Sequence, residues 1–164
     1  MKNNIKKLVI EYQKFMDDIL DPDDELEFRD VINNKYIYTP KDTNELRSNI
    51  ITLLKDGVYN LNCINVSYIT DFSFVFYATE DYDWDKIDIS LWDVRNGRDF
   101  CYMFSKTPNF NADISNWDVS NGRNFNFMFY NCKSFDETKI KNWNIRNDAH
   151  RLFMVDKEAT PEIL

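Results

Sequence analysis

The chain has 164 residues, a formal net charge of −8 and 16% aromatic residues, with 13 Phe, 9 Tyr and 4 Trp. That length suits one domain, or one domain with a cap, and the aromatics supply ample bulk for a core. The negative charge excludes a nucleic-acid binder working through a basic footprint, and electrostatic docking to an anionic membrane.

The N-terminal residues do not read as a secretory signal, because Glu11, Gln13 and Lys14 interrupt the apolar positions and no small-residue cleavage site follows. No run is long enough to span a membrane. Residues 4–20 carry Ile5, Leu8, Val9, Tyr12, Phe15, Met16, Ile19 and Leu20 at the three-four spacing of an amphipathic helix, which Asp21 and Pro22 stop. An acidic stretch follows, including Asp23, Asp24 and Glu25. It reads either as a solvated linker or as a contact patch for a basic partner. Residues 35–39 (KYIYT) suit a strand or an extended packing segment closed by Pro40. Asp42 and Glu45 supply capping chemistry for a second helix, whose apolar residues are Leu46, Ile50, Ile51, Leu53 and Leu54, and Gly57 suits its C-terminal end. Residues 1–57 are therefore expected to form an N-terminal helical cap.

From there the chain repeats itself. Residues 89–104 (ISLWDVRNGRDFCYMF) recur as residues 114–129 (ISNWDVSNGRNFNFMF), and residues 140–147 (IKNWNIRN) open a third copy that then degenerates. Upstream, Val66, Phe72 and Phe76 keep the same relative places as Val94, Phe100 and Phe104, with the excess length falling in a loop over residues 78–86. Such a period is the mark of a solenoid, since one unit cannot bury its apolar face without a stacked neighbour. The expected architecture is an α+β repeat protein: a β-solenoid of about four coils over residues 58–155, and a C-terminal tail over 156–164.

Equivalent positions then become columns. Phe72, Phe100 and Phe125 form one, Phe76, Phe104 and Phe129 a second, and Trp84, Phe110 and Phe135 another, all read as core. Trp92, Trp117 and Trp143 are read as core or as an aromatic binding stripe, since Trp is enriched in binding hot spots. Trp117 and Val119 share parity whereas Ile114 does not, so the chain must bend there or expose one of the three. Asn96, Asn121 and Asn147 suit side-chain bonds to backbone at a corner. Gly97 and Gly122 suggest a positive φ or a close approach. Asp93 and Asp118, and Asp88 and Asp113, form acidic columns whose carboxylates need backbone N–H partners or water, and which are candidate partner contacts. No metal site is expected, because the glycine-rich nonapeptide of calcium-binding β-rolls is absent.

Catalytic signatures are missing. The one histidine is His150, and no nucleophile, phosphate-loop or zinc pattern is present. Cys63, Cys101 and Cys132 read as reduced, mostly buried thiols. The expectation is a non-enzyme without cofactors.

Residues 110–121 (FNADISNWDVSN) and 128–132 (MFYNC) resemble the repeat of the BspA-like leucine-rich repeat family, specifically over about residues 61–145. The resemblance implies a right-handed solenoid with a short strand per coil and a role in protein recognition, often at microbial surfaces. The sequence departs from that pattern at Gly97 and Gly122, where family members carry a branched apolar residue. The Asn-, Ile- and Lys-rich composition suits an AT-rich bacterium, phage or large virus. The leading functional expectation is a monomeric, cytoplasmic, non-catalytic protein-interaction module, with no direct contact to nucleic acid or membrane. The second is an acidic inhibitor of the phage counter-defence kind, blocking a basic nucleic-acid-binding enzyme.

Overall fold

The structure, a computed structural model, describes Lys7, residues 36–79 and residues 81–155. The expected helix at 4–20 and the acidic residues Asp23, Asp24 and Glu25 lie outside the described residues. The second predicted helix is present as α1, Thr43–Lys55. Asp42 caps it, its carboxylate accepting the Glu45 N–H at 2.9 Å, while Glu45 reaches back to the Lys41 N–H at 3.0 Å. Gly57, at φ 74°, ends it: its N–H bonds the Leu54 carbonyl and that of Val58 bonds Leu53, the paired closure of a Schellman motif. Leu46, Ile50 and Leu53 are buried, whereas Ile51 is exposed. On the first repeat α1 donates from the Thr43 hydroxyl to the Asp71 carbonyl and from Arg47 to the Phe74 carbonyl.

The repeats lie against one another in register. The N–H groups of Phe72, Phe74, Phe76 and Ala78 bond the carbonyls of Asp99, Cys101, Met103 and Ser105, and the pattern recurs from Phe100, Tyr102, Phe104 and Lys106 to the next repeat. Between these rungs the predicted columns close into a core. Phe72, Phe100 and Phe125 stack at 5.3 and 5.2 Å, and Phe76, Phe104 and Phe129 at 5.5 and 5.6 Å, with every ring plane within 7° of its neighbour. All six rings are fully buried. Such ring pairs contribute about 0.5–1.5 kcal/mol each beyond the area they bury. Trp84 turns back out of the 78–86 loop to meet Phe110 edge-on at 4.8 Å, and Phe110 stacks on Phe135.

The expected β-solenoid does not form. Among the described residues there is one α-helix, two 3₁₀ turns (Leu61–Cys63 and Glu137–Ile140) and no strand or sheet. Pairing is confined to isolated parallel bridges, such as Asp71 to Asp99, Asp99 to Asn124 and Asn124 to His150. The segment at Tyr38, expected as a strand or an extended packing segment, likewise makes a single bridge to Ile64. The reason lies in the backbone. Phe74, Tyr102, Phe127 and Phe153 have φ of 47–58°, as do Ala78, Lys106 and Asn131 four residues on from the first three. Two left-handed residues four apart in each of the first three repeats break the extended geometry that a strand needs, while N–H groups of alternate residues still reach the neighbouring repeat.

Turns settle the parity conflict. Trp117 donates its N–H to the Ile114 carbonyl, so the chain bends and Ile114, Trp117 and Val119 are all buried. Asn96 and Asn121 donate their amides to the carbonyls of Ser67 and Arg95, each at 2.8 Å, as a corner role requires. Gly97 and Gly122 do not use a positive φ; a Cβ on Gly122 would sit 2.2 Å from the Phe125 ring, and one on Gly97 2.3 Å from Phe100. Glycine is there to let the phenyl column pass.

Side-chain carboxylates make the remaining corners. Asp71, Asp88, Asp99, Asp113 and Asp118 each accept the N–H two residues on, at 2.8–3.0 Å. The Ser115 backbone N–H and hydroxyl hold the Asp113 carboxyl below its usual range, and the Ser120 hydroxyl and N–H do the same for Asp118. Cys63 and Cys132 are buried and Cys101 is half-buried, and burial pushes the Cys63 thiol up to about 12.

Three outcomes follow from this packing. Gly122→Ala should lower stability by about 1–3 kcal/mol in urea titration, the cost of overpacking a filled core. Trp117→Phe should lose a similar amount, because the Ile89 carbonyl keeps its burial and loses its donor at 3.1 Å. Because the folded-state values of Asp113 and Asp118 are depressed, their stabilisation is present above the unfolded value of about 3.9 and is lost as pH falls through the folded one. Asp113→Asn with Asp118→Asn should therefore flatten the acid limb of a urea-midpoint profile, and an unchanged limb would remove this role.

Candidate interaction surface

Of the two readings of the tryptophan column, core and binding stripe, burial bears out the core. Trp92 and Trp117 are each 3% exposed, and Trp143 is half-buried. The three rings stack at 6.2 and 6.3 Å, and each indole N–H donates one repeat upstream, to Leu61, Ile89 and Ile114. The reason is chemical: an indole buried in a stack must satisfy its one donor, and a neighbouring carbonyl does so. The acidic columns find the N–H partners their carboxylates need. Asp88 holds the Ser90 N–H and hydroxyl, Asp113 the Ser115 N–H, Asp118 the Ser120 N–H, and Asp93 the Arg95 guanidinium at 2.7 Å. The structure brings Asp93 and Asp118 onto neighbouring repeats, where Arg95 feels both charges. Among the described residues no three His, Cys, Asp or Glu side chains converge to hold a metal ion.

A different column reaches solvent. Phe74, Tyr102, Phe127 and Phe153 occupy one position in successive repeats, with ring centroids 5.0, 4.7 and 5.4 Å apart. Phe74 is 42% exposed and Phe153 50%, with Tyr102 and Phe127 half-buried between them. Tyr77 packs edge-on against Phe74 and Tyr102, and Tyr130 edge-on against Phe127. Leu152, 57% exposed, extends the apolar surface beside Phe153. Lys106 lies 5.8 Å from the Tyr77 ring, a cation resting on its face.

The ladder is exposed because of its backbone. Strand parity would put residues 72, 74 and 76 on one buried face. The left-handed φ at Phe74, Tyr102 and Phe127 turns the middle residue outward while the flanking Phe pair stays in the core. The sequence does carry the signal, as a third aromatic ring between each buried pair. Without the turn geometry it reads as more core.

The surface carries no catalytic constellation; its chemistry is that of apolar and ring-to-ring contact. No helix among the described residues is long and apolar enough to cross a membrane. No curated protein and no solved structure matches the chain. A family model does match, over residues 47–161, which takes in α1 from Arg47 onward and every repeat. The family contains repeats and is related to the BspA-like surface repeat proteins. The chain belongs to the family described as Mycoplasma protein of unknown function, DUF285.

Proposed function

We propose that the chain is a non-catalytic protein-interaction module whose contact surface is the Phe74, Tyr102, Phe127 and Phe153 ladder. The observation that supports this reading is a run of four bulky rings at an outward position in every repeat. Left-handed backbone costs a non-glycine residue about 1–2 kcal/mol, so aromatic residues there are not a backbone preference. The neighbouring left-handed column, Ala78, Lys106 and Asn131, has no shared side-chain character. A contiguous exposed apolar patch of this kind marks interaction sites, and aromatic rings are enriched at their energetic centres. The matching partner surface is apolar or aromatic, with room for a carboxylate near Lys106.

The test compares the native chain with Tyr102→Ala/Phe127→Ala as bait in lysate of the source cell or its host, at low and high salt. A partner captured by the native chain at both salt levels, and lost by a variant whose circular dichroism is native, is the expected result. Capture that survives in the variant would discard the ladder as the contact surface. Capture by the native chain that vanishes at high salt would point instead to the charge-led inhibitor, because exposed ionic attraction is screened beyond about 10 Å at 0.1 M salt.

A further inference from the structure

Away from the ladder, a groove of about 280 Å³ runs across three repeats. Its walls carry Arg98, Arg123 and Arg146, an unexpected concentration of positive charge in a chain of net charge −8. Backbone hydrogen bonds fix the first two relative to each other: the Arg98 N–H bonds the Thr70 carbonyl at 2.7 Å, and the Arg123 N–H bonds the Arg98 carbonyl at 2.8 Å. The side chains therefore leave adjacent rungs, about 5 Å apart. Asn96 and Asn121, pinned by their bonds to Ser67 and Arg95, line the groove between the arginines. Tyr68 and Thr70, both exposed, add hydroxyls on the first repeat.

Where the structure pairs opposite charges, the partners lie two or three residues apart. Asp93 pairs with Arg95, Asp83 with Lys86, and Asp148 takes the Arg146 guanidinium on both oxygens at 2.9 Å. Arg98 and Arg123 form no ion pair among the described residues, although Arg123 lies close enough to favour the charged form of Asp148. Three guanidiniums against one carboxylate leave two positive charges in the groove. Like charges on adjacent rungs repel, and an anion between them would turn that repulsion into attraction. The planar guanidinium fork matches tetrahedral oxyanions better than a point charge does.

We propose that this groove binds a dianionic tetrahedral oxyanion, inorganic phosphate or the phosphoryl group of a monoester, held between Arg98 and Arg123. The site shares no residue with the aromatic ladder, so either stands if the other falls. The experiment is calorimetric titration of the full chain with inorganic phosphate and, separately, with O-phosphoserine, against chloride at matched ionic strength. The native chain should bind at least one of the two phosphoryl probes. Arg98→Gln and Arg123→Gln should each weaken that binding by about tenfold or more, the loss of one charge-assisted fork. Arg98→Gln/Arg123→Gln should abolish it, while Arg95→Gln, outside the groove, should leave it unchanged. Tighter binding of O-phosphoserine than of phosphate would identify a monoester as the source, and the reverse a free anion. Heat no larger than that from chloride, or a double variant that binds like the native chain, would overturn the assignment. Both arginines are exposed, so the variants should keep the native urea midpoint, which verifies that lost binding is not lost folding.

Discussion

Three indole N–H groups reach back to carbonyls of the preceding repeat, Trp92 to Leu61, Trp117 to Ile89 and Trp143 to Ile114, and each acceptor residue has no exposed surface. In such surroundings a carbonyl without a donor costs about 1–3 kcal/mol, so a slip of register would penalise all three sites together. The same slip would unstack the indoles and the phenyl columns, because every ring faces its equivalent in the next repeat. One bond type thus ties backbone register to side-chain register. The glycines, the outward rings and the arginine groove take their positions from it.

Much of this arrangement was legible in the residues. The Phe columns, the bond-forming Asn corners and both ends of α1 follow from spacing and from the chemistry of Asp42, Glu45 and Gly57. One expectation fails, and two open readings close, for reasons of local geometry. Strands were expected because stacked repeats usually pair through extended backbone, and the left-handed residues at Phe74 and Ala78 prevent it. Gly97 and Gly122 are open in the sequence to a positive φ or a close approach, and it is the close approach that holds, to a phenyl ring and to the Val94 or Val119 carbonyl. Trp92 and Trp117 are open in the sequence to core or to a binding stripe, and their burial makes them core.

The acidic composition misdirects in a similar way. Counting Asp and Glu suggests a negative face ready for a basic partner, yet seven aspartates among the described residues hold the N–H two residues on. A carboxylate used as a turn-former is partly neutralised by its N–H partners and keeps its charge to lower pH, as Asp113 and Asp118 do. Net charge therefore overstates what the surface offers. The unpaired arginines on adjacent rungs are the more selective electrostatic feature, although they are outnumbered.

The aromatic ladder stacks as the buried columns do, and stability and the proposed contact role make different demands on it. Stacking alone would be met by any planar ring, and it would be best met by burial, as in the Phe100 and Phe104 columns. At the ladder position the rings are instead held half out of the core by backbone that a bulky residue adopts at a cost. Asn suits that conformation better and occupies it at Asn131, four residues after Phe127. The chain thus had a residue better matched to the backbone and used rings at all four positions. A purely structural ladder would gain more from moving inward, whereas a contact surface gains from rings fixed in place before a partner arrives, since less side-chain freedom is lost on binding.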